Sequence, residues 1–202
     1  MPERELTPTH SAFLELKEER AGMQEGYSFL DEKRLILASE ILSELARYEE
    51  EMADFRRVYR AASLSLQAAI ARHGLEGVEI YPPAPTLGGE LRLRGRSVLG
   101  VNVHDVECEV GEQAPPPRSL EQSPEADACR EAFRDLVPRA AHLAARIGNL
   151  ERLRSEYTKT ARRARALEDV LLPEIDETLR AIDSALEELD REEAVRVRHL
   201  DV

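Results

Sequence analysis

Residues 30–69 read LDEKRLILASEILSELARYEEEMADFRRVYRAASLSLQAA, with no proline and no glycine. Apolar or small side chains recur at Leu30, Leu37, Ile41, Leu45, Tyr48, Met52, Phe55, Tyr59, Ala62, Leu66 and Ala69. After a first step of seven, every step is three or four, which is the seam of a coiled coil. Upstream, Thr7 is the expected helix cap and Pro8 the first helical residue, where a missing N–H costs nothing. Downstream, His73-Gly74 is the expected stop, with glycine available for the left-handed position after the helix. At 1.5 Å per residue, a helix from Pro8 to His73 is about 100 Å long. Gly22 and Gly26 weaken it, each by about 1 kcal/mol relative to alanine.

The C-terminal part has the same texture. Leu150, Leu153, Tyr157, Thr160, Ala164, Leu167, Leu171, Ile175, Ile182, Leu186 and Leu189 keep the spacing, apart from one step of seven. Ser123-Pro124-Glu125 offers a cap, a proline and an acid in the favoured order for an earlier start. Pro138 is expected to bend or interrupt the helix near Leu136. Pro173 lies inside the strongest periodic stretch and cannot donate to the carbonyl of Asp169, so a kink is expected there.

Seven of the ten glycines fall between Gly74 and Gly111. Within that region Val78–Tyr81 and Glu90–Arg94 alternate like short strands, and Ser97–Val106 is β-branched and apolar. Tight turns are expected near Gly95 and Gly100, and Gln113–Ser123, with its three prolines, reads as an exposed loop. The expected fold is mainly α. It is a long antiparallel two-helix coiled-coil hairpin, with a small β-hairpin and a short helix in the middle. One elongated domain then has three parts: 8–73, 74–123, and 124–200 kinked near 138 and 173. Both termini meet at the far tip. So thin a fold buries little surface per residue and needs partners for full stability.

The composition agrees. Of 202 residues only 4% are aromatic, none is Trp, and 34% are charged, while 42% are still hydrophobic. Such a chain suits long helices better than an aromatic-rich core. The net charge of −12 opposes non-specific binding to nucleic acid or anionic lipid. No apolar run is long enough to span a membrane and the first residues lack a signal-peptide pattern, so a soluble cytoplasmic protein is expected.

Catalytic signatures are missing. There is no Gly-Lys pair for a phosphate loop, and no G-x-G-x-x-G, H-E-x-x-H, C-x-x-C or G-x-S-x-G. His104 and Cys108 are four apart, but no neighbouring Cys or His completes a metal site. Cys108 and Cys129 read as ordinary packing residues. Glu49–Glu51 and Glu187-Glu188 read as solvated helix faces. Lys159, Arg162, Arg163 and Arg165 form a basic cluster without interleaved aromatics, which suits an acidic protein surface, or the acidic face of the neighbouring helix, better than nucleic acid. No cofactor, metal or catalytic residue is expected. Periodicity leaves three binding roles open: a rotary shaft, a prefoldin-like chaperone subunit, or a coiled-coil tether.

Several stretches, taken together, favour one of these. At the N-terminal end are Pro8-Thr9-His10, Leu14-Glu15-Leu16-Lys17, Gly26 and Phe29-Leu30-Asp31-Glu32-Lys33-Arg34. At the other end are Arg162-Arg163-Ala164-Arg165-Ala166-Leu167-Glu168, Leu172-Pro173 and Glu187-Glu188-Leu189-Asp190-Arg191-Glu192-Glu193. Val98-Leu99-Gly100-Val101 lies between them. The set resembles the D-subunit family of V-type (vacuolar and archaeal-type) ATPases and ATP synthases, Pro173 included. Arg165 departs from it, standing where the family usually has Asn.

The resemblance implies a central rotor shaft, present in one copy and peripheral to the membrane. Its tip enters the hexamer of alternating A and B subunits, the F subunit binds alongside, and the other end seats on the funnel-shaped subunit above the membrane ring. On that reading the chain holds no nucleotide and couples ATP synthesis or hydrolysis to proton or sodium transport. Lys17, Lys33, Arg34, Arg162, Arg163, Arg165 and Pro173 are then partner contacts. Leu37, Ile41, Leu45, Met52, Leu167, Leu171, Ile175, Ile182 and Leu186 form the seam that carries torque. The competing reading is a prefoldin-like or other coiled-coil scaffold with no rotary role.

Overall fold

In the computed structural model, which describes residues 8–81, 90–109 and 123–200, the first helix begins two residues later than expected. Helix α1 spans His10–Ile80. Thr9 is its cap: the Thr9 hydroxyl accepts from the Ala12 N–H at 3.2 Å, and its carbonyl accepts from the Phe13 N–H at 3.0 Å. A threonine two residues nearer the apolar repeat satisfies an orphan donor directly, and Pro8 stays outside the helix; Thr7 lies outside the described residues. Strands β1 (Glu90–Val98) and β2 (Val101–Glu109) follow, then α2 (Pro124–Ala166), a π-helical turn (Leu167–Leu171) and α3 (Leu172–Leu200).

The chain leaves helical conformation at Gly74, with φ of 72°, but then resumes it to Ile80. The expected strand over Val78–Tyr81 is therefore the end of α1. Its alternation is only four residues long, and tertiary contacts override it. The Tyr81 hydroxyl donates to Asp127 at 3.1 Å and accepts from the Ser123 N–H at 3.4 Å.

β1 and β2 pair antiparallel from Glu90↔Glu109 to Val98↔Val101. Leu99 and Gly100 make the two-residue turn, both with positive φ (47° and 86°), as a hairpin turn matched to strand twist requires. Ser97–Val106 is thus split by the turn. Gly95 lies mid-strand opposite His104, where a Cβ would meet the imidazole at 3.4 Å. The expected turn at Gly95 is a place for that ring.

Ser123 caps α2, accepting from the Ala126 N–H at 3.2 Å, with Pro124 as the first helical residue. Pro138 does not interrupt the helix, which runs on to Ala166. Leu136 and Leu143 are buried on either side of it, and that packing outweighs the missing hydrogen bond to the carbonyl of Arg134. The loop expected over Gln113–Gln122 lies outside the described residues.

Two compact units divide the chain. In the first, α1 up to Ile36 pairs with the chain from Tyr157 onward. Leu16 packs with Ile175, Leu179, Ile182 and Leu186, flanked by Phe13 and Met23. Arg20 meets Asp176 at 2.5 Å, and Gly26 faces Leu167. Rising numbers on one helix meet falling numbers on the other, so the pair is antiparallel.

The second unit is Leu37–Glu156. Here α1 pairs antiparallel with α2, through contacts from Glu44–Arg146 to Arg72–Glu125, and the β-hairpin joins the pair. Its seam differs by one residue from the expected one. Leu37 and Ala62 are buried, but between them Glu44 is buried and Glu51 and Val58 are half-buried, whereas Leu45 and Tyr59 are exposed. The heptad continues as 37, 44, 51, 58 in spite of the two charges.

Pro173 produces a wider turn. Having no N–H, and crowding the turn before it, it is preceded by a ladder opened to i→i−5, with the Leu172 N–H on the carbonyl of Leu167. No side chain of Leu167–Leu171 is fully buried. Thr160 and Ala164 are buried before the turn, Ile175 and Leu179 after it. Each pair of equivalent positions is separated by fifteen residues rather than two heptads, so the turn absorbs one residue and leaves the seam in phase.

Candidate interaction surfaces

The Glu44 carboxylate, with no exposed surface, is the hub of a polar cluster. It accepts from Arg47 at 3.1 Å, from Arg146 at 3.3 Å, from Arg96 of β1 at 3.4 Å and from Asn149 at 3.5 Å. Arg146 also reaches Glu51 at 3.1 Å and Asp105 of β2 at 2.9 Å. Burial opposes the Arg146 charge, but Glu51, Glu44 and Asp105 outweigh it and raise its pKa. Arg96 is paired with Glu40 as well, which likewise holds its pKa up.

Fully buried Asn149 grips β2 by its backbone. Its amide accepts from the His104 N–H and donates to the His104 carbonyl, both at 2.9 Å, as a neighbouring strand would. Arg152 adds a bond to the Asn102 carbonyl at 2.9 Å. Val101, Val103 and Val106 are the buried apolar residues of the hairpin. The hairpin is thus fixed to the helix pair by directed polar bonds over a small apolar patch. Beside this contact a cleft of about 270 Å³ is lined by Arg47, His104, Asp105, His142 and Arg146. Glu44, Asn149 and Arg146 are absent from the expected site because apolar spacing does not pick out a polar seam position. A charged residue one heptad after Leu37 is the signal that marks Glu44.

The expected partner residues all fall in the first unit. Lys17 is exposed, its ammonium 4.3 Å from the Phe13 ring centre. Lys33 is half-buried, and Arg34 pairs with Asp31 at 2.5 Å on its own helix. Lys159, Arg162, Arg163 and Arg165 are all exposed, and no ion pair or hydrogen bond holds them among the described residues. Pro173 is exposed at the start of α3. Of the expected seam, Leu37, Ile175, Ile182 and Leu186 are buried, Ile41, Met52, Leu167 and Leu171 are half-buried, and Leu45 is exposed. Leu16 and Leu179, also buried, lie outside the expected seam. Cys108 and Cys129 are free thiols. Among the described residues no three His, Cys, Asp or Glu side chains gather as metal ligands, and no helix is long and apolar enough to cross a membrane.

Two paired helical units with a clamped hairpin define a fold but not a role. Comparison with known proteins adds the deciding observation: the family model for the ATP synthase D subunit matches residues 12–201. The chain belongs to the ATP synthase D-subunit family. Within that family it is similar to the D subunit of the Thermotoga neapolitana V-type ATP synthase, 30% identical over 199 residues, covering 96% of each chain. The D subunit of the Methanoregula boonei A-type ATP synthase is 29% identical over 98% of this chain and 96% of its own. Its counterpart in the A-type ATP synthase of Archaeoglobus fulgidus is 28% identical over 97% and 96%.

Proposed function

We propose that this chain is the central-stalk rotor subunit of a V-type ATP synthase or ATPase, coupling ATP synthesis or hydrolysis to proton or sodium transport. The family match over residues 12–201 carries this reading. The chain itself holds no catalytic residue and no cofactor. It sits as one copy within the hexamer of A and B subunits, with the F subunit alongside and the funnel-shaped subunit at the membrane end. It is peripheral to the membrane.

Arg162, Arg163 and Arg165 meet the surrounding hexamer. Their exposure and lack of partners among the described residues support this, since a charged, hydrated face slides where an apolar one sticks. Reversing all three charges should weaken hexamer binding and lower coupled ATPase activity. Unchanged values for both would remove these arginines from the interface.

Affinity purification from native membranes, with a tag placed among residues 113–122 rather than at a terminus that enters the hexamer, tests the whole reading. The expected product is an assembly with several A and B chains for each tagged chain. A preparation of hexamers containing only this chain and relatives of it would instead favour the prefoldin-like scaffold.

A further inference from the structure

The grip of Asn149 on β2 fixes the direction in which the backbone of each strand points. Asn149 takes both the N–H and the carbonyl of His104, so both groups of that residue point away from β1. Arg152 takes the carbonyl of Asn102 in the same way. In an antiparallel ladder such outward residues lie opposite one another and alternate with the bonded pairs. Gly95 and Ser97 are the partners of His104 and Asn102, and Leu91 and Leu93, opposite Cys108 and Val106, have the same parity. The N–H and carbonyl groups of Leu91, Leu93, Gly95 and Ser97 therefore point out from the hairpin. No hydrogen bond takes them among the described residues, and all four residues are exposed. β2 lies against α2, whereas β1 is an open edge.

The side chains along this edge alternate. Leu91 and Leu93 share one face and are 54% and 60% exposed. Arg92, Arg94 and Arg96 lie on the other face, where they pair with Glu90, with Glu107, and with Glu40 and Glu44. An open edge ordinarily invites a second copy of the same strand. Here the arginines oppose it. Pairing outward residues with outward residues sets the arginine row of one copy directly against the arginine row of the other, and like charges opposite one another destabilise a ladder. Residues 110–122 of this chain are unsuited as well, because Pro115, Pro116 and Pro117 in their midst have no N–H to donate.

We infer that the outer edge of β1 takes an extended segment of a different subunit as a third strand, a segment in which apolar residues alternate with Asp or Glu. Backbone bonds to Leu91, Leu93, Gly95 and Ser97 supply the affinity, as in other strand additions, and the arginine row supplies the selection. A guanidinium has five N–H donors, so Arg94 can keep Glu107 and bind a second carboxylate across the new pair. The apolar positions of the incoming strand then cover Leu91 and Leu93. The inference rests on the rotor reading only in that a partner subunit must be at hand.

A photoreactive benzoylphenylalanine placed at Leu91 or Leu93, with a control at Ala61 of α1, tests it in the assembly purified as above. Illumination should join both edge positions to one segment of another subunit, at sites about two residues apart, as strand pairing requires, with acids at alternate positions. The control should not label that segment. Reversing Arg92 and Arg94 together (Arg92→Glu, Arg94→Glu) should lower the crosslink yield about tenfold. Leu93→Pro removes one outward N–H and no bond to β2, and should likewise lower the yield from Leu91. A complete assembly with no crosslink from either edge position overturns the inference and leaves the rotor reading standing. So does a crosslink to a second copy or to a segment without acids, or a yield that the charge reversal leaves unchanged. A crosslink to an acid-alternating segment in a preparation lacking A and B chains keeps the edge site and removes the rotor reading.

Discussion

Glu44 occupies a seam position that coiled coils usually give to an aliphatic residue. Its carboxylate is tolerated because three arginines and an asparagine surround it at hydrogen-bonding distance. Removing Glu44 takes a shared acceptor from buried Asn149 and from the arginines, although Arg146 keeps Glu51 and Asp105 and Arg96 keeps Glu40. Glu44→Ala should therefore destabilise the protein by about 1–3 kcal/mol through lost charge-assisted hydrogen bonds, read from urea unfolding, whereas loss of an exposed ion pair such as Arg191–Glu187 should cost under about 1 kcal/mol. Equal effects would mean that the hub is not buried in solution. Only the position is legible in the residue pattern, as a charge one heptad after Leu37. Apolar periodicity steps over Glu44 to Leu45, and two of the arginines that justify the acid come from β1 and α2, far away in sequence.

At the scale of the element, the helices are legible and their irregularities only partly so. The forty-residue run from Leu30 and the Ser123-Pro124-Glu125 cap mark α1 and α2 because periodicity and capping act locally. Proline is a poor guide. Pro138 passes inside a continuous helix, while Pro173 follows a widened turn. What differs is the packing around each ring, which the local sequence does not encode. The turn also decides which leucines matter. Ile182 is buried in the cluster with Leu16, but Leu171 lies in the widened turn and is only half-buried. Ile182→Ala should cost about 2–5 kcal/mol and Leu171→Ala clearly less, by thermal denaturation of the two variants. The reverse order would put the turn inside the core.

For the whole molecule, acid stability follows from the paired carboxylates. The Arg20 guanidinium holds Asp176 below its usual range, Arg72 does so for Glu125, and Arg57 with Arg139 does so for Asp54. Their contribution to stability is complete above the ordinary carboxylate range of about 4. It is lost as the pH falls through that range to the lowered values. Melting temperature should be level from pH 7 to about 5 and fall towards pH 3, less steeply in Asp176→Asn. A level profile down to pH 3 would show that these exposed pairs contribute nothing.

The fifteen-residue interval across Leu167–Leu171 makes the response to deletions depend on position. An α-helix that loses one residue turns everything beyond it by about 100°, which tears a seam apart. Loss of Val170 instead removes the residue that the wide turn accommodates and leaves Ile175, Leu179, Ile182 and Leu186 against Leu16, with only Pro173 to resettle. Loss of Ser184 has no such reserve and carries Leu186 off its partner. The Val170 deletion should keep a cooperative melt, lowered by the strain of Pro173 in a regular turn, and the Ser184 deletion should lower it further. A change of length at this turn should therefore be borne better than elsewhere in the helix, where insertions and deletions are ordinarily excluded.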